Sequence, residues 1–236
     1  MTTPAPTTPA PTTLGRRALA EAVGTAFLVA TVVGSGIAAS RLAPDDPGLV
    51  LLVNSLATGG VLLAVILALQ HVSAAFNPVV TLAELLTRRL PAAGAAVLVL
   101  AQVAGGAIGA VAANVMFERP AVEIASTERA SGATLLAEVV TTLGLVLVVL
   151  ALTSTGRADR VALAVAAYIV AAYWFTSSTS FANPAVTIAR TLSDSFAGIA
   201  PSSVLPFVAA QVVGALLAVG LARVLFTVPD RAGALP

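Results

Sequence analysis

Apolar residues run along this chain in long unbroken stretches, and the polar positions are pushed to the joints between them. The stretches 15–39, 49–69, 94–117, 133–153, 159–175 and 203–227 each match or approach the about 20 residues needed to cross roughly 30 Å of hydrocarbon. Two further apolar segments open with Asn77-Pro78 and Asn183-Pro184 and end at Arg88-Arg89 and Ser193-Asp194, too soon to span. Asparagine is a strong N-cap and proline fits the first helical position, where its missing donor costs nothing, so both segments are predicted to be half-helices. Polar, small-residue backbone precedes each one, His71-Val72-Ser73-Ala74-Ala75 and Ser177-Ser178-Thr179-Ser180. Such backbone is tolerated at membrane depth only inside protein or along a watery cavity, so these loops must line a pore.

The two halves of the chain match each other. Ala20-Glu21 with Thr25 recurs as Ala137-Glu138 with Thr142; Asn77-Pro78-Val79-Val80-Thr81 recurs as Asn183-Pro184-Ala185-Val186-Thr187; Ala101-Gln102-Val103 recurs as Ala210-Gln211-Val212. Each half (14–117 and 133–227) therefore holds three spans and one half-helix. Three is odd, so the second half enters from the opposite side, and the fold class is an all-α membrane protein with an inverted 3+3 repeat.

Composition narrows the function. With 58% hydrophobic and 10% charged residues and a mean hydropathy of +0.99, the chain cannot coat a soluble domain with charge, and its solvent must be lipid. No cysteine and a single histidine leave no thiolate, disulfide or metal site, and no cofactor is expected. A net charge of +1 argues against nucleic acid as a partner. Residues 1–13, a Pro/Thr/Ala repeat, read as a disordered tail, and 228–236 as a short C-terminal one. With the N-terminus inside, Arg16, Arg17, Arg88, Arg89, Arg157, Arg160, Arg223 and Arg231 face the cytoplasm, against Arg41, Arg119, Arg129 and Arg190 outside, so both termini are predicted to be cytoplasmic and the chain a multi-pass protein of the cell membrane.

The paired motifs, "HVSAAFNPVVT" and "STSFANPAVT" in inverted halves, resemble the aquaporin/glycerol-facilitator (major intrinsic protein) family over residues 14–227. The resemblance implies a bundle of six tilted helices, half-helices meeting head to head at mid-membrane, a homotetramer with one pore per protomer, and passive conduction of small neutral solutes. Two helix N-termini would place partial positive charge at the meeting point, where the Asn77 and Asn183 amides offer donors to a passing oxygen while cations are repelled. Val79 departs from the usual alanine of the first motif, whereas Pro184-Ala185 keeps it. Glu21 and Glu138 sit inside spans, where a carboxylate is costly. In the family such glutamates support the re-entrant loops; a proton relay is the alternative, and it lacks partners.

The family's outer constriction usually carries an arginine directly after the second Asn-Pro-Ala, and here that residue is Val186. The three other positions carry over as Thr58, Ala171 and Ser180, with Ala171 depending on an ungapped loop and Thr58 on one residue fewer in the first loop, where a plain count gives Ala57. All four are small, which predicts an aquaglyceroporin-like, wide filter passing water and glycerol-like polyols. A bacterial branch of the family with valine at this place is associated with arsenic, which adds arsenite or other neutral metalloid hydroxides as solutes. Arg190, one turn further on at the outer mouth, either reaches back into the gap or, as the i,i+4 spacing favours, pairs with Asp194. His71 is a candidate gate at the cytoplasmic mouth, or a loop residue satisfied by a nearby backbone carbonyl. Small residues at Ala101/Gly105/Gly109/Ala113 and Ala210/Gly214/Ala218/Ala222 predict close helix approach. A secondary transporter shares the inverted-repeat architecture, but the spans lack Asp or Lys for ion coupling; an enzyme lacks a nucleophile–base pair.

Overall fold

A computed structural model describes residues 12–226, so most of both predicted tails, with Arg231, lies outside the described residues. It contains eight α-helices in chain order: α1 (Leu14–Leu42), α2 (Pro47–Leu69), α3 (Pro78–Leu86), α4 (Ala92–Met116), α5 (Gly132–Ser154), α6 (Val161–Phe175), α7 (Pro184–Ala189) and α8 (Pro201–Leu225). Six helices are long and apolar enough to cross a membrane; α6 joins them with the 3-10 turn 158–160 that precedes it. The half-helices are shorter than the apolar segments that contain them, with 9 residues in α3 and 6 in α7, the latter continued by a 3-10 turn over 190–192.

Local chemistry sets the helix starts. The side chains of Thr13, Asp46, Asn77 and Asn183 each accept from a backbone N–H of the first turn, and Pro47, Pro78 and Pro184 stand at the positions where no donor is needed. Ser131 and Thr134 cap each other reciprocally at the start of α5.

Packing repeats between the halves. α1 lies along α4 and against α2, just as α5 lies along α8 and against α6; α2 and α6 join the halves, and α3 and α7 plug the middle. The small-residue stripes explain the closest pairs. A Cβ on Gly105 would stand 2.1 Å from the Ala22 carbonyl oxygen, one on Gly109 2.3 Å from that of Ala26, and one on Gly214 2.5 Å from that of Val139. Glycine is therefore required for α1 to seat on α4 and α5 on α8, and both stripes are used within the protomer. Outward faces carry exposed Phe27, Leu100, Ile108, Leu136 and Leu205, whereas Glu21, Gln102, Glu138 and Gln211 are wholly buried. An apolar outside around a polar inside is what a lipid solvent demands.

Candidate functional site

The two re-entrant loops hold each other at the centre. Each asparagine spends its Oδ1 on its own helix: Asn77 accepts from Val79 N at 3.0 Å, Asn183 from Ala185 N and Val186 N at 3.0 and 3.2 Å. This fixes which way the amide nitrogen points. Asn77 Nδ2 donates to Ala182 O and Asn183 Nδ2 to Phe76 O, both at 2.8 Å, so each loop braces the other. An amide nitrogen carries two hydrogens, and one of each remains for the cavity that both asparagines border. Phe76 and Ala182, the accepting residues, occupy the same place in the repeat and share a left-handed backbone, φ 47° and 46°. Such a conformation costs a non-glycine residue about 1–2 kcal/mol, so something must hold it.

Glu21 and Glu138 do so. Glu21 accepts from Ser73 Oγ (2.5 Å), Ala75 N (2.9 Å), Phe76 N (2.6 Å) and Gln102 Nε2 (2.8 Å). Glu138 accepts from Phe181 N (3.0 Å), Ala182 N (2.9 Å) and Gln211 Nε2 (2.6 Å). Gln102 and Gln211 also donate to Thr81 and Thr187, the threonines of the two half-helices, at 2.9 Å each. Each half thus carries a Glu–Gln–Thr frame around its loop. Both the glutamines and the threonines stand at matching places in the repeat, and that recurrence is the sequence signal for the frame.

A cavity of about 530 Å³ runs from the end bordered by Arg17 and His71, called here the inner mouth, past both asparagines to the end bordered by Tyr173 and Arg190, called here the outer end. At its inner mouth Arg17 and Glu84 form an ion pair at 3.8 Å. His71 is exposed there, and its ring makes no hydrogen bond among the described residues, so the expected carbonyl partner is absent. Thr58, Ser180 and Val186 all border the cavity toward its outer end. Ser180 is hydrogen-bonded to Thr141 Oγ1 at 2.7 Å. Val79, by contrast, is buried behind the first loop in an apolar cluster with Val146 and Ala215.

Two expectations are corrected at the outer end. Ala171 lies exposed on the outer face of α6; Tyr173 borders the cavity instead, its hydroxyl 3.1 Å from Thr58 Oγ1. Two helical residues differ by about 200° in direction, so one small error in loop count reverses the face. Arg190 does not pair with Asp194, whose carboxylate accepts from Ser126 N and Oγ at 2.9 and 3.0 Å. The α-helix ends at Ala189, and the 3-10 turn followed by extended Ser193 removes the one-face relation that i,i+4 spacing assumes. Arg190 is buried, donates Nε to Ala197 O and places its guanidinium over the Phe181 ring, 3.5 Å from the centroid. With Tyr173, Phe181 and Arg190 on the wall, the outer end is not lined by small residues alone.

The loop 118–131 closes over this end. Its Glu123 and Ala125 N–H groups bond Leu192 and Thr191 carbonyls at 3.0 and 2.9 Å, and Arg129 donates to Gly198 O (2.6 Å) and Phe196 O (2.8 Å). Burial pushes the Arg129 guanidinium below its usual pKa.

An inverted repeat of helices around two cross-braced half-helices, enclosing a cavity with amide donors at its middle, defines a membrane pore. The chain belongs to the major intrinsic protein family, whose model matches residues 10–173. It is 45% identical over 211 residues to the aquaglyceroporin AqpS of Rhizobium meliloti (strain 1021), covering 89% of this chain and 90% of that protein. Its fold is similar to the crystal structure of the aquaglyceroporin from Plasmodium falciparum, with a TM-score of 0.64 and 18% identity over 89% of this chain and 95% of that one. The protein is accordingly a multi-pass passive channel for small neutral solutes, and not an enzyme.

Proposed function

We propose that the channel conducts water and glycerol-like polyols, with neutral trivalent arsenic hydroxides as a further solute class, and that it works as a homotetramer in the plasma membrane with both termini cytoplasmic. The observation that carries this reading is the pair of asparagine amides at the middle of the cavity. Each is oriented by its own N-cap bond and braced by the opposite loop, and each leaves one N–H donor for the pore while its carbonyl oxygen serves its own helix. A hydroxyl oxygen is welcomed there, whereas a cation meets two helix N-termini, each worth about half an elementary charge. Thr58, Ser180 and Val186 form part of the outer constriction in this reading, and Glu21 and Glu138 hold the loops. Val186, which leaves an apolar patch on the wall where an arginine is usual, favours the arsenic hydroxides, and the relative's name, aquaglyceroporin, favours polyols. Stopped-flow light scattering on proteoliposomes, with water, glycerol, urea and arsenite in turn, tests the reading. Flux above empty vesicles for glycerol and arsenite is expected; fast water flux with none of the three solutes would overturn it.

A further inference from the structure

The half-helix α3 ends on an arginine held in an unfavourable conformation. Thr87 is the cap, Arg88 N donates to Leu85 O at 3.0 Å and Arg89 N to Glu84 O at 2.8 Å, the closing bonds of a Schellman turn. That turn needs left-handed backbone at the residue after the cap, and Arg88 supplies it at φ 59°, where glycine or asparagine is usual. The turn gains nothing from an arginine there, so the reason for its presence lies in its side chain. Arg88 and Arg89 are both exposed, and neither forms an ion pair among the described residues. The negative end of α3 is already met by another residue, since Arg223 donates Nη2 to Leu86 O at 3.3 Å.

Arg223 belongs to the last turn of α8 and is itself exposed, so its bond to Leu86 brings a third guanidinium to the same corner, two residues from Arg88. The nearest acid is engaged elsewhere, because Glu84 pairs with Arg17 at 3.8 Å on the cavity wall. Directly beside the corner α8 is bare and apolar, with Leu221, Val224 and Leu225 exposed by 38%, 75% and 55%. We propose that Arg88, Arg89 and Arg223 form a binding site for the phosphate headgroup of an anionic phospholipid, whose acyl chains lie along this face of α8. A phosphodiester brings a full negative charge and acceptor oxygens that suit guanidinium forks. The apolar flank commits the occupant to lipid, since a soluble phosphate has no use for a wall that faces hydrocarbon. A mere surplus of positive charge at the inner-mouth end would be served as well by exposed Arg157 and Arg160, in the turn between α5 and α6.

The full chain is purified in a neutral detergent, and its melting temperature is followed as phosphatidylglycerol, or phosphatidylcholine with the same acyl chains, is added. A ligand of the folded protein raises the melting temperature with its concentration, so the concentration of half response ranks the two lipids. Each basic residue near an anionic headgroup is worth about fivefold in binding, so the triple variant Arg88→Gln, Arg89→Gln, Arg223→Gln is expected to need about tenfold or more phosphatidylglycerol. Its response to phosphatidylcholine should not change. The control pair Arg157→Gln, Arg160→Gln should keep the wild-type preference. Arg88→Gly separates a site from a structural role: without lipid it should melt no lower than wild type, because glycine is at ease at φ 59°, while its phosphatidylglycerol response weakens. Equal responses of the wild type to both lipids, an unaltered preference in the triple variant, or an equal loss in the control pair would overturn the site. So would glycerol 3-phosphate matching the lipid, which would make the corner a site for soluble phosphate. Should the triple variant not assemble, Arg88→Gly decides: a wild-type preference for phosphatidylglycerol in that protein overturns the proposal.

Discussion

Replacing Glu21 by glutamine keeps size and shape and exchanges one acceptor oxygen for an NH2 group. If the amide oxygen takes the Oε1 place, it keeps Ser73 Oγ and Ala75 N, and the new NH2 faces Phe76 N and Gln102 Nε2, two donors at 2.6 and 2.8 Å. Gln102 can turn its unpaired Oε1 inward and recover one contact, at the expense of its bond to Thr81. Phe76 N cannot turn, because it belongs to a backbone already held at φ 47°. A buried donor left without a partner costs about 1–3 kcal/mol, and the weakened bonds to a formerly charged acceptor bring the sum to about 2–4 kcal/mol. For a chain of this size each kcal/mol moves the melting temperature by about 2–4 °C, so a drop of about 4–16 °C is expected in detergent. Function should suffer too, since Phe76 O is the acceptor that braces Asn183. The assay is a thermal-shift measurement paired with water flux in proteoliposomes. A melting temperature within about 2 °C of wild type together with unaltered flux would refute the frame as the support of the loop.

Further outcomes follow from the same geometry. Asn77→Asp or Asn183→Asp removes the cross-loop donor and sets a carboxylate at two helix N-termini, so neutral flux should fall and cation exclusion weaken; correctly assembled variants with both unchanged would remove these residues from the mechanism. Val186→Arg adds a second guanidinium to a wall that already holds Arg190, so water and glycerol flux should fall together; a selective loss of glycerol alone would show that Arg190 leaves the constriction open. Gly109→Leu must drive α1 away from α4, since even a Cβ there stands 2.3 Å from Ala26 O; destabilisation of about 3 kcal/mol or more is expected in thermal unfolding, and wild-type stability would contradict the close pairing. Asp194 is held below its ordinary value of 3.8 by the Ser126 N–H and hydroxyl, so its anchoring of the outer loop is present above that value and is lost as pH falls through the lower folded one. Hydrogen exchange at Ser126 should therefore rise at neutral pH in Asp194→Asn, and equal protection in the two proteins would show the contact to be idle.

The spans and the inverted repeat were legible because lipid imposes long apolar runs and the duplication copies polar residues such as Glu21 and Glu138, which chance seldom repeats. Asn77 and Asn183 were legible for a local reason, the N-cap followed by proline. The outer end was not. Thr179, Ser180 and Ala182 turn through left-handed backbone before Asn183, and no periodicity rule predicts three such residues in that loop, so counting back to α6 chose Ala171 over Tyr173. Arg190 was misread because its partner is an aromatic face fixed by the fold, while i,i+4 spacing pointed to an acid that Ser126 already occupies. Gln102 and Gln211 stood in the repeat, yet their task depends on a loop arriving from elsewhere in the chain.

The cross-loop bonds join residues 105 and 107 positions apart in sequence, and this dictates an order of synthesis. When Asn77 is made its acceptor does not exist; at about 5–20 residues per second, about 5–20 s pass before Ala182 is made. Through that interval the first half has its spans, its glutamate and its half-helix, but the carbonyl of Phe76 and the amide of Asn77 have only water or Ser/Thr hydroxyls to turn to. A chain interrupted before α7 therefore holds a re-entrant loop without its counterpart. The wall of the cavity is thus completed only by the last fifth of the chain, which brings Asn183, Val186 and Arg190.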